Sequence, residues 1–557
     1  MMAATRRALL AGAAALAALS GRAQSIVSDV ADVAQAVALD DRVARNYRRD
    51  VLIRWGDRVT FDAPPWNPNL PDAAAAAAQF GWDAVVVAAV PPPPAADGIA
   101  RLVLVVAHPS AEPAMMFPSL RPNPAVEAAS VGASVINLVW QGGRWVIADG
   151  GFQARRLTAT TLCRIGGPLA GSSRIRTAED QAGAAVRGII APSGGGATPW
   201  GTVLLGEGDA APILRAWRSL GERFAHPNEP VRFGWVVEFD PLEPTSVPVK
   251  HTAPGRFPKS GLACAIAADG RVVLYMSEAR TDGYLYRFVS ARPIDASDRD
   301  ANAGLLDEGT LEAARVGPGR LEWVRLTGSP HTLIDARAAA TEAGATPFDS
   351  PAGIAVHPDG RVFLACRGNP ARGVGRTDLL NPRPVNTWGH IAEIIPANRD
   401  HAAQEADGAI LILGGDPAQP GAGARYGSGT RVWLAAPEAL AVDPRGRLWI
   451  GTAQGNASPG LQRATGIADG VFVCGTEPGA QRSVLNQVYA APRAARIGSL
   501  AFSPDATSLI TAVRTPGFEQ GAEFTRPATR WPDFRPEEPP RSTVIALARA
   551  SGGRMGG

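Results

Sequence analysis

The sequence predicts an all-β fold, a β-propeller with long insertions between its strands. Two observations support this fold class. The 557-residue chain contains 61 glycines and 48 prolines, a content that suits many turns between short strands. Its second half repeats one pattern four times, and each copy is a short apolar strand, a turn and a second apolar strand. Repeated hairpins separated by longer segments are typical of propeller blades.

The four copies share the chemistry of their turns. They read CAIAADGRVVLYMSEA, AGIAVHPDGRVFLACRG, EALAVDPRGRLWIGTA and GSLAFSPDATSLITAVR. Gly270, Gly360 and Gly446 stand at the turn in three copies, and Ala506 stands there in the fourth. Glycine favours such turns because it adopts positive φ without a steric penalty. The spacing is about twice the period of one blade, so other blades must be more divergent or carry insertions. A pair of β-sandwiches is the alternative architecture.

The first half predicts further strands, and we expect one domain over residues 24–557. Residues 47–57 form a strand that ends in a Gly-Asp turn, and the continuous apolar run 102–107 indicates a buried strand. Segments 133–140 and 144–149 flank a Gln-Gly-Gly turn and predict a hairpin. A strand is also expected at 187–191. Helical character is expected at 24–46, and a short helix at 335–343.

Residues 1–23 have the pattern of an export signal. Arg6 and Arg7 precede a short alanine- and leucine-rich run, and small residues near Ala23 offer a cleavage site. An arginine pair before such a run is typical of the twin-arginine signal, and an ordinary Sec signal is the alternative. We therefore expect a periplasmic or secreted protein. No later segment is long and apolar enough to predict a membrane span in the mature chain.

Charge and cysteine content exclude two classes of function. The formal net charge is only +3, which argues against a nucleic-acid partner because such proteins normally carry a marked basic excess. The four cysteines have no CxxC spacing, which argues against a zinc cluster; they are Cys163, Cys264, Cys366 and Cys474. Buried thiols are expected, and one disulfide is the alternative in an oxidising compartment. We expect a monomer.

Residues 194–208, GGGATPWGTVLLGEG, are the predicted functional centre. They combine three glycines, a strand-like run and Glu207 just past its end. Glycines allow the backbone to approach a ligand or another strand closely. An acidic residue after a buried strand is at a position where loop-borne chemistry usually occurs. Trp200 within this segment is expected to pack in the core.

This segment takes part in a resemblance that covers nearly the whole mature chain. Six strings occur in the order found in the PhoX-type alkaline phosphatases: YRRDVLIRWGD, GGATPWGT, FGWVVEFDPLEPTSVPVKHTAPGRF, YLYRFVS, NTWGHI and TRWPDFRPEEPPRSTVIAL. The resemblance implies an exported β-propeller. It also implies hydrolysis of phosphomonoesters, with iron and calcium bound at the funnel of the propeller.

The resemblance implies a set of metal ligands, of which this chain keeps a part. Carboxylates remain at three matched positions: Glu207, Glu278 and Glu438. Ser193 stands where the family has an iron-binding cysteine, and a serine is a far poorer iron ligand than a thiolate. Three further ligands are replaced by Pro109, Ser260 and Ala352. Three carboxylates could hold one calcium ion, but iron and a full iron–calcium cluster are not expected.

The sequence therefore predicts a non-catalytic or weakly active relative that binds an anionic or phosphorylated small molecule at the cell envelope. The candidate catalytic and anion-contacting residues are Ser193, Lys259 and Arg256, and the candidate metal ligands are the three carboxylates named above. An active metal-dependent phosphomonoesterase with a reduced calcium or iron site is the alternative. His108 and His390 are expected to have structural roles.

Overall fold

The computed structural model describes residues 32–457 and 460–555. The predicted export signal lies outside these residues, as do residues 24–31. In the described part of the chain, six blades surround a central axis, and the inner strands of neighbouring blades contact one another around the complete ring. The predicted all-β propeller is therefore confirmed.

The blades are numbered in chain order, and the first strand given for each is the inner one. Blade 1 contains Val85–Val90, Arg101–His108, Gly132–Gln141, Arg144–Ile147 and Arg155–Leu157. Blade 2 contains Pro192–Ala197, Val203–Glu207, Val236–Phe239, Val249–His251, Leu162–Gly166 and Ala185–Arg187. Blade 3 contains Lys259–Ile266, Arg271–Glu278, Leu285–Pro293, Gly309–Val316 and Leu321–Arg325.

Blades 4 to 6 follow the same plan. Blade 4 contains Pro351–Val356, Val362–Cys366, His390–Pro396 and Glu405–Leu413. Blade 5 contains Pro437–Val442, Leu448–Thr452, Gly470–Cys474, Leu485–Ala490 and Arg42–Val43. Blade 6 contains Arg496–Phe502, Ser508–Arg514, Thr543–Arg549 and Tyr47–Arg54. A two-stranded ribbon pairs Asp282–Gly283 with Phe348–Asp349.

Short helices occur in the connections between strands. The α-helices are Ala73–Ala78, Pro113–Met116, Pro124–Ser130, Ala211–Ala216, Ala336–Glu342, Gln454–Ala457 and Leu461–Thr465. The 3₁₀ helices are Arg218–Leu220, Glu222–Ala225, Glu229–Arg232, Asp300–Asn302, Pro330–Leu333, Val374–Arg376, Ala397–Arg399 and Pro420–Ala422. No helix among the described residues has the length and apolar character needed to cross a membrane.

The core lies between the blades. Successive residues of a strand point to opposite faces of its sheet, and both faces of each blade are covered by neighbours. Val203 and Leu205 therefore pack toward blade 1, whereas Leu204 packs toward blade 3. This two-sided burial explains why the strands read as continuous apolar runs.

The four sequence repeats are the inner hairpins of blades 3, 4, 5 and 6. Gly270, Gly360, Gly446 and Ala506 all have positive φ at the turns, as predicted for this position. The wide spacing of the repeats comes from long insertions within consecutive blades, and blades 1 and 2 are the divergent ones. The predicted helix at 335–343 is also present, over Ala336–Glu342.

The N-terminal segment completes the last two blades. Tyr47–Arg54 pairs antiparallel with Thr543–Arg549 in blade 6, and Arg42–Val43 pairs with Leu485–Ala490 in blade 5. The expected helical character of residues 24–46 is wrong for the described residues 32–46. Their backbone hydrogen bonds go to blade 5, including Val33 N–H to Gln487 O at 3.3 Å, because tertiary pairing overrides a weak local preference.

One end of the ring, here called the mouth, is where every inner strand begins and every second strand ends. The first residues of neighbouring inner strands lie side by side there, because Gly194, Gly261 and Gly353 each face the backbone of the next inner strand. The connections from second to third strands, here called the mouth insertions, also start there. They are residues 109–131, 208–235, 279–284, 367–389, 453–469 and 515–542.

Candidate functional site

The antiparallel inner hairpins bring the first residues of the inner strands and the last residues of the second strands together at the mouth. The register places Glu278 opposite Lys259 in blade 3 and Arg514 opposite Arg496 in blade 6. Most of these polar side chains are buried. Buried charges must be paired or hydrogen-bonded to be tolerated, so the partners of each group define what the mouth can bind.

The glycine-rich segment begins the inner strand of blade 2. A Cβ atom on Gly194 would lie 2.7 Å from the Ser260 carbonyl oxygen of blade 3, and one on Gly195 would lie 1.9 Å from the Leu204 carbonyl oxygen. Gly196 has no atom within 4 Å of its Cβ position. The first two glycines therefore serve the packing of strand against strand. Trp200 is buried and donates to Glu238 Oε1 at 2.7 Å, as expected for a core residue.

Glu207 is fully buried and fully engaged. Its Oε1 accepts a 2.7 Å bond from Lys250 Nζ, which lies on the outer strand Val249–His251. The backbone N–H groups of Ile190, Gly234 and Trp235 also donate to its carboxylate, at 3.2, 3.0 and 3.3 Å. A carboxylate offers about four lone-pair sites. These four donors therefore satisfy the Glu207 carboxylate, and Lys250 supplies its counter-charge.

Lys259 is buried and points its ammonium group at a set of carbonyl oxygens. Nζ donates to the carbonyls of Gly234, Gly255 and Phe257 at 2.7, 3.0 and 3.3 Å, which matches the three N–H donors of an ammonium. Nζ also lies 4.0 Å from the centroid of the Phe257 ring. Burial lowers the pKa of Lys259 to about 7. Gly206 makes room for this side chain, since a Cβ there would lie 3.0 Å from Lys259 Cβ.

Ser193 and Arg256 make backbone contacts beside Lys259. The Ser193 hydroxyl donates to the Lys259 carbonyl oxygen. Arg256 Nε donates to the carbonyl of Phe233 at 3.0 Å, and its Nη2 donates to that of Pro230 at 3.0 Å. Ser193 therefore joins the inner strands of blades 2 and 3, and Arg256 holds the mouth insertion 208–235 in place.

Glu278 and Glu438 are each paired with arginines. Glu278 Oε2 accepts from Arg337 Nη1 at 2.6 Å, and Oε1 lies 3.3 Å from Arg280 Nε. Burial raises the pKa of Glu278. Glu438 Oε2 accepts from Arg367 Nη1 at 3.1 Å, and Oε1 lies 3.8 Å from Arg514 Nη1.

An arginine cluster, made of Arg367, Arg496 and Arg514, lies across the mouth. Arg514 makes a bidentate pair with Asp83 at 2.9 and 2.8 Å. Although burial alone would raise the pKa of Asp83, the Arg514 guanidinium holds it below its usual value. Arg367 Nη1 also reaches Ser260 Oγ at 3.3 Å, so it spans from blade 3 to blade 5. Gly498 leaves room for Arg514, since a Cβ there would lie 2.5 Å from Nη1.

Arg496 begins the inner strand of blade 6 and donates to Thr515 Oγ1 at 3.0 Å. Burial lowers its pKa, and the neighbouring Arg514 adds to the effect, while Asp83, Glu438 and Asp469 oppose it. Asp469 is buried, and burial raises its pKa to about 7. Hydrogen bonds with the Thr452 side chain and with the backbone and side chain of Gln454 act in the opposite direction. The mouth thus carries a high density of cationic groups.

Sequence reasoning found the three carboxylates but missed their partners. Lys250 and the arginine cluster were not predicted. A signal for Arg514 exists in the repeats, because it ends the second strand of its hairpin as Glu207 and Glu278 end theirs. For Lys250 the signal is weak, since its pairing with Glu207 depends on sheet register.

His108 and His390 are both hydrogen-bonded to other residues of the fold. His108 is buried between the Asp83 carbonyl oxygen, 2.5 Å from Nδ1, and Ser134 Oγ, 2.7 Å from Nε2. Burial lowers its pKa well below the usual value. His390 is likewise buried, and its ring nitrogens contact Asn386 Nδ2 at 2.9 Å and the Leu380 carbonyl oxygen at 2.8 Å. All four cysteines lie in the described residues and are free thiols.

The carboxylates at the mouth do not fit the iron–calcium cluster that the resemblance implies. Each of the three carboxylates already pairs with a lysine or arginine, so a multivalent cation would face like charge. Among the described residues, the ligand atoms that lie close enough together to hold a metal are those of His357, Asp359 and Glu477. They lie near the hairpin turn of blade 4, at the end opposite the mouth, and Arg361 pairs with both carboxylates.

Comparison with known proteins identifies a family model and similar solved structures. The family model of the alkaline phosphatase PhoX matches residues 29–517. The structure of Pseudomonas fluorescens PhoX in complex with vanadate, a transition-state analogue, is 28% identical with a TM-score of 0.85, over 95% of this chain and 99% of that one. A gluconolactonase from Xanthomonas campestris is 11% identical with a TM-score of 0.33, over 94% and 99% of the two chains. A search of curated proteins found no match.

Proposed function

This chain belongs to the PhoX alkaline phosphatase family, and on that premise we propose that it binds an anionic, phosphate-like small molecule at the mouth without the iron–calcium cluster. The family is one of metal-dependent phosphoric monoester hydrolases. In this member we propose weak or no hydrolysis and a binding role at the cell envelope. The predicted export signal, together with the family's usual export, supports a periplasmic or secreted location.

One observation carries this proposal: protein cations neutralise all three carboxylates at the matched metal positions. Lys250 pairs with Glu207, Arg337 with Glu278, and Arg367 with Glu438. A cation site needs ligands whose charge offsets the dehydration cost of the ion. A cluster of arginines instead favours an oxyanion, because guanidinium groups match phosphate and carboxylate geometry.

We assign roles within the mouth accordingly. The arginine cluster supplies the anion contacts. Lys259 adds positive charge, while its ammonium group also holds three backbone carbonyls together. Ser193 joins the inner strands of blades 2 and 3, and Arg256 fixes the position of the mouth insertion 208–235. The carboxylates Glu207, Glu278 and Glu438 act as counter-ions that make the buried cations tolerable, rather than as metal ligands.

Metal analysis combined with anion titration tests the proposal. The purified full chain is measured for iron and calcium, and vanadate binding is followed by calorimetry with and without a chelator. We expect iron far below one atom per chain and vanadate binding that the chelator does not change. Arg367→Gln should weaken vanadate binding about tenfold, the loss of one charge-assisted contact. The exposed Arg325→Gln is the control. Stoichiometric iron with chelator-sensitive phosphomonoester hydrolysis would overturn the proposal.

A metal-dependent phosphomonoesterase with a reduced metal set is the second candidate. The family match and the 28% identity to a PhoX that binds a transition-state analogue favour it. This candidate requires Glu207, Glu278 or Glu438 to leave its cationic partner and bind calcium. It predicts hydrolysis of p-nitrophenyl phosphate that calcium stimulates and that Glu207→Gln abolishes, whereas the exposed Glu243→Gln keeps it. Unchanged turnover in Glu207→Gln would exclude Glu207 as a ligand.

A further inference from the structure

A cavity of about 760 Å³ opens beside the mouth. It lies between the mouth insertions 453–469 and 515–542, and residues 37–39 of the N-terminal segment form part of its wall. Cavities of roughly 300–1,000 Å³ are the usual size of small-molecule sites. An inorganic phosphate or vanadate ion would leave most of this volume empty.

The wall of the cavity combines apolar and charged groups. Leu39, Ala494 and Phe518 contribute apolar surface, and Gln462, Asp469 and Arg496 contribute polar groups. Arg463, Arg493 and Glu519 also line the cavity, and both arginines pair with Glu519, at 3.5 and 2.7 Å. Gln462 is held in place, because its Oε1 accepts from Ala494 N–H at 2.9 Å and its Nε2 donates to Asp469 Oδ2 at 3.3 Å. Apolar surface beside polar groups that are fixed by hydrogen bonds is a common pattern of a site that orients an organic ligand.

Arg496 connects this cavity with the arginine cluster. It lines the cavity and lies opposite Arg514 in the register of the blade 6 inner hairpin. An anion held between Arg496 and Arg514 would therefore lie beside the cavity. Any organic group attached to that anion would have the cavity as the adjacent open space.

We propose that the cavity is a subsite for the uncharged organic part of the bound anion, and that the acid group of the same ligand lies against Arg496. This inference rests on the proposed function. The ligand class is an organic acid, a phosphoric monoester or a phosphonate whose organic body includes an apolar group of at least the size of one aromatic ring. Phe518, about one third exposed, lies at the wall and offers a ring surface for stacking.

Two phosphonates that differ only in their organic group test this inference. Calorimetry with the full chain compares phenylphosphonate with methylphosphonate, and neither has an ester bond that hydrolysis could remove. We expect phenylphosphonate to bind at least about tenfold more tightly, since one buried ring contributes more than 1.4 kcal/mol. Phe518→Ala should remove most of this preference and leave methylphosphonate affinity unchanged. Leu39→Trp, which fills part of the cavity, should also reduce the preference for phenylphosphonate.

The controls separate this inference from the proposed function. Phe152→Ala removes a 73% exposed phenylalanine that does not line the cavity and should leave both affinities unchanged. Arg496→Gln should weaken both phosphonates, and thermal melting checks that each variant is folded. If both phosphonates bind equally in the natural chain, or if Phe518→Ala changes nothing, the cavity is not a subsite although the proposed function stands. If neither phosphonate binds, the proposed function fails and this inference fails with it.

Discussion

At the scale of single residues, Glu207 shows how the partners of a carboxylate determine what it can bind. The resemblance implies a metal ligand at this position, yet Lys250 on another strand of the same blade supplies the counter-charge at 2.7 Å. Both side chains are fully buried. A buried pair of this kind contributes little net stability but makes the loss of either partner costly.

A double-mutant cycle on Glu207 and Lys250 tests this arrangement. Lys250→Met alone should lower the free energy of unfolding by about 3–5 kcal/mol, because it leaves a buried carboxylate without its counter-charge. Glu207→Gln combined with Lys250→Met should cost less than the sum of the single changes. The measurement is chemical denaturation at neutral pH. Additive effects would show that the two groups do not interact.

His251 provides a prediction about pH. It is buried, with Glu238 Oε2 2.8 Å from Nε2 and Asp307 Oδ1 2.7 Å from Nδ1. Burial opposes the charged form, but the two carboxylates outweigh it and raise the pKa of His251 to about 9. The folded state therefore binds more protons than the unfolded state between pH 6.5 and 9, and stability falls as pH rises through this window.

The natural chain and His251→Gln should differ most in stability below pH 6.5. Between pH 6.5 and 9 the difference should shrink by about 3 kcal/mol, the free-energy equivalent of that pKa change. Denaturant titrations at several pH values measure it. His331→Gln, at an exposed position, is the control and should leave the pH profile unchanged. A difference that is constant with pH would contradict the pairing.

The three carboxylates were singled out from the sequence because recognisable family strings stand beside them, and their assignment as matched metal positions stays a prediction. Their partners were not predictable in the same way. Lys250 meets Glu207 through the order of strands in blade 2, in which Val203–Glu207, Val236–Phe239 and Val249–His251 lie side by side. Arg514 meets Asp83 only because the ring closes between blades 6 and 1. Sequence reasoning has no access to contacts that depend on closure.

At the scale of elements, the hairpins were the easiest features to predict. Each inner hairpin combines two apolar runs with a turn, and all of this information is local. The strand Tyr47–Arg54 was also predicted, but not its place in blade 6. Residues 32–46 were misread, because their pairing with blade 5 is long-range and their alanine and valine content carries little information about it.

The glycine run at the start of the blade 2 inner strand gives a matched pair of variants. Gly194→Ala places a Cβ 2.7 Å from the Ser260 carbonyl oxygen, so blades 2 and 3 must move apart. We expect a loss of about 1–3 kcal/mol of stability. Gly196→Ala meets open space and should be neutral or stabilising by up to about 1 kcal/mol. Equal melting temperatures for the two variants would contradict this account of the close approach.

At the scale of the whole molecule, the ring is closed by its N-terminal strands. Tyr47 lies opposite Arg549, and Arg42 lies opposite Ala490. Without Tyr47–Arg54, the strand Thr543–Arg549 becomes an edge with a row of open backbone N–H and C=O groups, which favours aggregation.

Truncation tests the closure. A chain that starts at residue 57 should lose cooperative thermal unfolding and should aggregate, because blade 6 lacks its outer strand. A chain that starts at residue 32 keeps both N-terminal strands and should unfold like the natural one. Calorimetry and light scattering distinguish the two results. A soluble, cooperatively folded chain from residue 57 would show that the outer strand is dispensable.

The closure also sets the order of events during synthesis. A chain made from its N-terminus presents Tyr47–Arg54 early, yet the partner of this strand is among the last residues to leave the ribosome. The early strand must stay without its partner while five blades are completed, and contacts between distant parts of a chain form slowly. Any chain interrupted before Arg549 lacks part of the partner strand, so premature termination yields an open ring rather than a smaller propeller.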